Sequence, residues 1–278
     1  MDVRITPLGE HTGVEVEGID LRGDVPEPLR EALYKAFLDR AVLVVRGQDM
    51  DPHETLRAAK LFGPPFAQHN TRFQLPECPE IHYISNQDSY ADGRRYIPGS
   101  GYHTDHSNAA RPPKATVLHA KELPSAGGDT QYVNMVRAYE TLDAETKAQI
   151  DGLEAEHVYQ SSHSERKLVG LTAERRQEIE EGVIHPLVRV HPETGRKALY
   201  INPIRIERIL GMPNDAALPL LERLLAHAVR EEHQYRHKWR PGDFVMWDNR
   251  SLLHKANADY DMSERRYLYR MMLADVAA

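Results

Sequence analysis

A single cysteine, Cys78, stands in a chain of 278 residues, which excludes an intramolecular disulfide and any zinc site built from several thiolates. Cys78 is expected as a small, buried or half-buried apolar residue. Long hydrophobic runs are missing too: the longest strongly apolar stretch, residues 41–45, is far shorter than the roughly 20 residues a membrane-spanning helix needs. Positive charge is in deficit, since 35 Lys and Arg against 42 Asp and Glu give a formal net charge of −7. A general binder of phosphate backbones needs a basic stripe, so neither nucleic acid nor membrane is expected as a partner. Small anionic ligands stay open, because a few arginines lining a cleft set the local field there. The amino terminus, "MDVRITPLGEHTG", shows no basic stretch leading into an apolar stretch with a small-residue cleavage site, and a cytoplasmic location is expected. No Gly/Ser-rich linker, low-complexity tract or fixed-period repeat interrupts the chain, so one domain over residues 1–278 is expected.

The remaining sequence consists of short segments separated by turn signals. In "PEPLREALYKAFLDR", Leu29, Leu33, Ala36, Phe37 and Arg40 recur at helical spacing, and "AVLVVR" behind them reads as a buried strand. Asp51 and Pro52 form an N-cap and first-turn pair for a helix reaching about Phe62, which Gly63 can close in the left-handed conformation. Strand-like runs follow: "IHYIS", "TVLHA", "VIHPLVRV", "KALYI", "FVMW" and "RRYLYRMML". "HPETGR" and "RPGD" supply turns between them. Residues 214–231 are amphipathic and helical, and the charged "TAERRQEIEEG" reads as a helix with a solvated face or as a lid-like insertion. The expected class is mainly β with flanking helices.

One short stretch carries chemistry. If "GYHTDHS" (residues 101–107) runs extended, alternation places His103 and Asp105 on one face, about 6–7 Å apart along the strand, with Thr104 on the other. An imidazole and a carboxylate, completed by a second histidine, make the facial triad that holds non-haem iron(II) and leaves positions open for other ligands. His254 is the strongest candidate for that histidine: in "FVMWDNRSLLH" a strand enters an Asp-Asn turn and a second apolar run delivers it. Further on, Arg266 and Arg270 lie four residues apart in "RRYLYR", which puts both on one strand face and Arg265 on the other. Inward arginines need anions, either a ligand's or a core carboxylate's. Four extended residues cover about 13 Å, a separation suited to two different anions.

These residues and their order resemble the taurine dioxygenase and chlorophenoxyacetate dioxygenase (TauD/TfdA) branch of the iron(II)- and 2-oxoglutarate-dependent oxygenases. The resemblance extends from "ITPLGEHTGVEVEGIDL" through "LFG", "YHTDHS", "PPKATVLHAKELPSAGGDTQY" and "HPLVRVHPETGRKALYIN" to "WDNRSLLHKANADY" and "RRYLYR". It implies a double-stranded β-helix (jelly roll, cupin-like) core, in agreement with the β-rich pattern. It implies that His103, Asp105 and His254 hold Fe(II), that Arg266 and Thr130 bind the distal carboxylate of the cosubstrate 2-oxoglutarate, and that O2 is consumed. Arg270 is implied as the grip on the acidic group of a small anionic organic substrate. A homo-oligomer, dimer or tetramer, is the expected assembly.

Departures from the family pattern gather where substrate should lie. Gly99 stands where taurine dioxygenase keeps an asparagine, four positions before the first iron histidine. His106 follows the iron aspartate, where several relatives carry a small apolar residue, and is expected to touch the substrate's anion. His69 lies one position off the family's substrate histidine, and Tyr102 replaces a tryptophan before the first ligand; both are candidate substrate contacts. Tyr83, Tyr90 and Tyr96 fall in the variable segment and are expected mainly as packing residues, and Lys121, Asp129 and Asp248 as turn or supporting groups. The same ligands also serve oxidative desaturation and decarboxylation. A zinc hydrolase and a non-catalytic jelly-roll binding protein are the alternatives of other kinds, the first giving no reason for a second anion pocket at Thr130 and Arg266.

Overall fold

The structure is a computed structural model, in which residues 3–68, 71–89, 95, 97–164 and 182–275 are described. The strands, in chain order, begin with β1 (Arg4–Pro7), β2 (Val14–Glu17), β3 (Val42–Val45), β4 (Gln74–Leu75), β5 (Cys78–Ser85), β6 (Ala115–Glu122), β7 (Thr130–Asn134) and β8 (Glu154–His157). They continue with β9 (Val183–Pro186), β10 (Val188–Val190), β11 (Lys197–Leu199), β12 (Ile206–Ile209), β13 (Gln234–His237), β14 (Phe244–Asp248), β15 (Leu252–Ala256) and β16 (Tyr267–Leu273). Eight of them form one sheet in the order β1-β2-β3-β14-β6-β16-β5-β4, and β13-β7-β15 form a smaller sheet. The two sheets face each other as a jelly-roll core, and each strand-like run expected from the sequence contains a strand, although Arg265 and Arg266 precede β16, Tyr200 and Ile201 follow β11, and "VIHPLVRV" is split at Leu187.

Alternation decides which side chains enter the space between the sheets. Val42, Val44, Leu118, Val245, Trp247 and Leu268 pack inward with Tyr132 and Leu252 of the small sheet. Their neighbours Leu43, Val45, Val117, Phe244, Met246 and Met271 turn outward, against α1 (Glu27–Arg40) and α2 (Pro52–Lys60). Burial on both faces explains why β3 reads as an unbroken apolar run. Phe37, wholly buried from α1, contributes about 1.5–3 kcal/mol by its transfer from water. Cys78 is buried in the same cluster.

Local signals account for most helix boundaries. Asp51 caps α2 with a reciprocal bond to Glu54, and Pro52 occupies the first turn. Its end differs from expectation. The chain leaves the helix through tight turns, with the N–H groups of Leu61, Phe62 and Gly63 each bonding the carbonyl three residues back. Gly63, at φ 153°, is not a left-handed cap of the helical kind. α3 (Met135–Glu140), α4 (Ala144–Ile150) and α5 (Asn214–Ala228) cover the small sheet with a second apolar cluster. α5 is shorter than the amphipathic stretch, which finishes as a 3-10 turn at Glu231–His233. The "TAERRQEIEEG" segment lies outside the described residues apart from its last glycine. No helix among the described residues is long and apolar enough to cross a membrane.

Candidate metal and cosubstrate site

The two candidate ligand histidines are paired by backbone. His103 N–H donates to the His254 carbonyl at 3.0 Å and His254 N–H to the His103 carbonyl at 2.8 Å, which brings the rings to 4.2 Å between centroids. This bridge is isolated, so "GYHTDHS" is not the strand that alternation assumed. Asp105 instead opens a turn in which His106 takes φ 47°. The turn still swings the Asp105 carboxylate to 3.9 Å from Nε2 of each histidine. Thr104 points the other way, as alternation required, and donates to the Asn249 carbonyl at 2.8 Å.

Two of the three ligands are oriented by hydrogen bonds, and the His254 ring packs on Trp247 with centroids 4.6 Å apart. His103 Nδ1 lies 2.7 Å from the Gly101 carbonyl, so it carries the proton and Nε2 keeps its lone pair for a metal. Asp105 accepts from the Thr116 hydroxyl at 2.6 Å on Oδ2 and from Arg270 Nη2 at 2.8 Å on Oδ1. Burial raises the pKa of this carboxyl, but Arg270, His254 and His103 together hold it well below the ordinary range, so it stays ionised. The ligand atoms of His103, Asp105 and His254 all lie within 4.8 Å of one another, and two imidazoles with one carboxylate suit an iron(II) site.

Beside the triad, a cavity leads to a buried cation. Arg266 is 5% exposed and lies just before β16 rather than within it. Its Nε donates to the Gly128 carbonyl at 3.0 Å, while Nη2 is buried with no hydrogen-bond partner. No described carboxylate lies within ion-pair distance of it, and burial lowers its pKa from the usual arginine value. Gly128 sits at φ 71°, and a Cβ there would come within 3.2 Å of Arg266 Nε, so glycine gives the guanidinium its room. Thr130 opens β7 in the same cavity. Its oxygen accepts the Trp239 indole N–H at 3.0 Å, which leaves the hydroxyl hydrogen to donate elsewhere.

The other candidates divide. Arg270, Arg266, Thr130 and His106 line the cavity with the triad. Arg270 is not without an anion: besides Asp105 it donates from Nη1 to Gln68 Oε1 at 2.9 Å. Tyr102 does not line the cavity. Its hydroxyl donates to Gln234 at 3.1 Å, and its ring carries the Lys255 ammonium 4.6 Å from the centroid. His69, Tyr90 and Tyr96 lie outside the described residues, and Gln68 is the residue from that stretch that meets Arg270. Tyr83 packs on Tyr267 and Phe73. Lys121 donates to the Met50 carbonyl, Asp129 pairs with Arg236, and Asp248 is fixed by Arg250 and His191. Sequence reasoning missed Thr116, Trp239 and Gln68, and also His82, which lines the same cavity. Thr116 and His82 were recoverable from strand parity once the inward face was known.

Comparison with known proteins agrees with this geometry. The model of the family "Taurine catabolism dioxygenase TauD, TfdA family" matches residues 4–272. The alpha-ketoglutarate-dependent 2,4-dichlorophenoxyacetate dioxygenase of Cupriavidus pinatubonensis is 33% identical over 100% of this chain and 99% of its own. The alpha-ketoglutarate-dependent sulfate ester dioxygenase of Pseudomonas putida is 30% identical, over 99% and 90%. Among solved structures, AAD-2 in complex with Mn(II) and N-oxalylglycine superposes with a TM-score of 0.84 at 30% identity, covering 99% of this chain and 98% of that one. A taurine dioxygenase from Burkholderia xenovorans gives 0.82 at 32% identity, covering 99% and 91%. A full-length family match, relatives that share one cosubstrate, and a His-Asp-His triad beside an unpaired buried arginine lead to one conclusion: the chain belongs to the TauD/TfdA family and is an Fe(II)- and 2-oxoglutarate-dependent dioxygenase.

Proposed function

We propose that this dioxygenase hydroxylates a small organic acid, such as a sulfonate, phenoxy acid or amino-acid derivative, with conversion of 2-oxoglutarate and O2 to succinate and CO2. Where the hydroxylated carbon bears a heteroatom, the product collapses with cleavage of the C–S, C–O or C–N bond. Fe(II), when bound by His103, Asp105 and His254, supplies the activation of O2 that couples the two oxidations. Arg266 and Thr130 bind the distal carboxylate of 2-oxoglutarate: the first offers an unused buried N–H and the second a hydroxyl whose oxygen is already occupied by Trp239. Arg270 holds the acidic group of the substrate while its bond to Asp105 keeps that group close to the metal ligands.

The observation that carries the proposal is the Arg266 guanidinium, deeply buried beside the triad with no described carboxylate to neutralise it. An uncompensated internal charge is costly, so a ligand anion is its natural partner, and Arg270 then serves a second one. The printed activities of the relatives, on a phenoxyacetate and on a sulfate ester, fit an acidic second ligand. The zinc hydrolase alternative leaves the Arg266 site without a purpose. The test is a substrate series in which each active acid is compared with its amide and methyl ester for succinate release. The proposal expects the acid to be strongly preferred, and equal turnover of the neutral analogues would refute Arg270 as an anion anchor.

A further inference from the structure

Arg270 has too few free donors to hold an acidic group alone. Nη2 is engaged by Asp105 and by the Met272 sulfur at 3.3 Å, and one Nη1 hydrogen by Gln68. Of the five guanidinium N–H groups, only Nε–H and one on Nη1 stay available for a ligand. A carboxylate offers about four lone-pair sites and a sulfonate more, so another donor is called for.

The sheet supplies one. His82 on β5 stands directly opposite Arg270 on β16 in the antiparallel register, and the facing Leu118 on β6 completes the row. Parity turns all three inward, since Ile84 packs in the inter-sheet cluster while Ile81 and Tyr83 pack outward. His82 is 5% exposed and lines the cavity, yet no described residue hydrogen-bonds its ring. The ring nitrogens are not among the fully buried unpartnered atoms, so they open onto the cavity, where water or a ligand is their partner. Burial and the Arg270 charge lower its pKa to about 4, so near neutral pH it is an uncharged imidazole with one N–H and one lone pair.

We propose that His82 is a specificity-determining residue, whose ring N–H donates to the acidic group of the substrate beside Arg270. This rests on the assignment of Arg270 as the anion anchor. The acid is then gripped from two paired strands, by a charged fork and by a neutral donor, and the span between them selects the shape of the acidic group. Gln68 and Asp105 fix the fork, while His82 is fixed by its strand.

The experiment uses the full chain, labelled with 15N at histidine and arginine and loaded with Zn(II) and N-oxalylglycine. Acetate, methanesulfonate and methyl sulfate are titrated in, and the ring nitrogens of His82, assigned by their loss in His82→Gln, are followed by NMR. At least one anion is expected to move the His82 ring signals saturably, with the shift abolished in Arg270→Leu. His82→Leu is expected to weaken that anion about tenfold or more, with part of the loss recovered in His82→Gln, whose amide keeps a donor. Anion-induced shifts at Arg270 Nε with an unmoved His82 ring overturn the role of His82 and leave the Arg270 assignment standing. Silence at both residues with all three anions overturns both.

Discussion

Replacing Arg266 by methionine separates two consequences of one buried charge. The side chain is 5% exposed, donates once to Gly128 and keeps Nη2 unpaired, so without cosubstrate it is a liability to the fold. Methionine loses the Gly128 bond, worth about 1 kcal/mol, but removes the desolvation of an uncompensated ion, which costs several kcal/mol. Arg266→Met is therefore expected to be more stable than the parent in the absence of 2-oxoglutarate, by a few degrees in Tm at about 2–4 °C per kcal/mol for a chain of this order of size. Cosubstrate offsets that advantage. A bond to a charged group contributes about 1.5–3 kcal/mol, so the KM for 2-oxoglutarate should rise about ten- to a hundredfold. Ligand stabilisation follows the same affinity: N-oxalylglycine at a hundred times its parent Kd should add about 2.7 kcal/mol to the parent and far less to the variant. Thermal melts with and without N-oxalylglycine, alongside succinate assays at varied 2-oxoglutarate, measure both effects. An unchanged KM, or a ligand-free variant several degrees less stable than the parent, would refute the reasoning.

Other expectations follow from the same geometry. His103→Ala, Asp105→Ala and His254→Ala should each abolish tight Fe(II) binding in a metal titration while leaving the circular dichroism spectrum largely intact; a variant that binds and turns over like the parent removes that residue from the triad. Thr130→Val should raise the KM for 2-oxoglutarate less than the loss of Arg266 does, because a neutral hydroxyl contributes less than a guanidinium. Arg270→Leu should weaken the acid substrate strongly and spare 2-oxoglutarate, with Arg270→Lys restoring only part. Because Arg270 also orients Asp105, the leucine variant should lose about ten- to a hundredfold in metal affinity as well. Acid sensitivity should come partly from His119, wholly buried between Thr55 and the Gln48 carbonyl, where burial lowers its pKa from 6.5 to about 4. The unfolded chain then binds the proton first, so this contribution is full above about pH 6.5 and is lost as pH falls towards 4, amounting to about 3 kcal/mol at most. His119→Gln should flatten Tm against pH in that window, and an unaltered slope would contradict it.

The sequence carried the site further than the path of the chain around it. His254 was legible because an apolar strand, a turn and a second apolar strand precede it, and these became β14 and β15. Parity alone puts Arg266 and Arg270 on one face, which holds even though the first lies just outside β16, whereas their roles come from the resemblance. The condition that "GYHTDHS" runs extended is not met, because a single bridge to His254, set by a partner remote in sequence, replaces a strand there. Tyr102 is a candidate contact by its family position alone, and nothing in the local sequence shows that its hydroxyl turns to Gln234 instead. Gln68 escaped notice because the stretch from Pro64 to Gln68 has no regular period to show which side chain turns inward. His82 could be put on the same face as Ile84, but only the register with Arg270 shows that this face looks into the cavity.

The most direct measurement of the central claim is the stoichiometry of O2 consumed to succinate formed, with Fe(II) and 2-oxoglutarate supplied, across sulfonates, phenoxy acids, sulfate esters and amino-acid derivatives. The account predicts equal amounts of the two, dependence on Fe(II), loss in Asp105→Ala, and marked stimulation by at least one acid but not by its amide. Absence of succinate under every condition, or stimulation that ignores the acidic group, would contradict it.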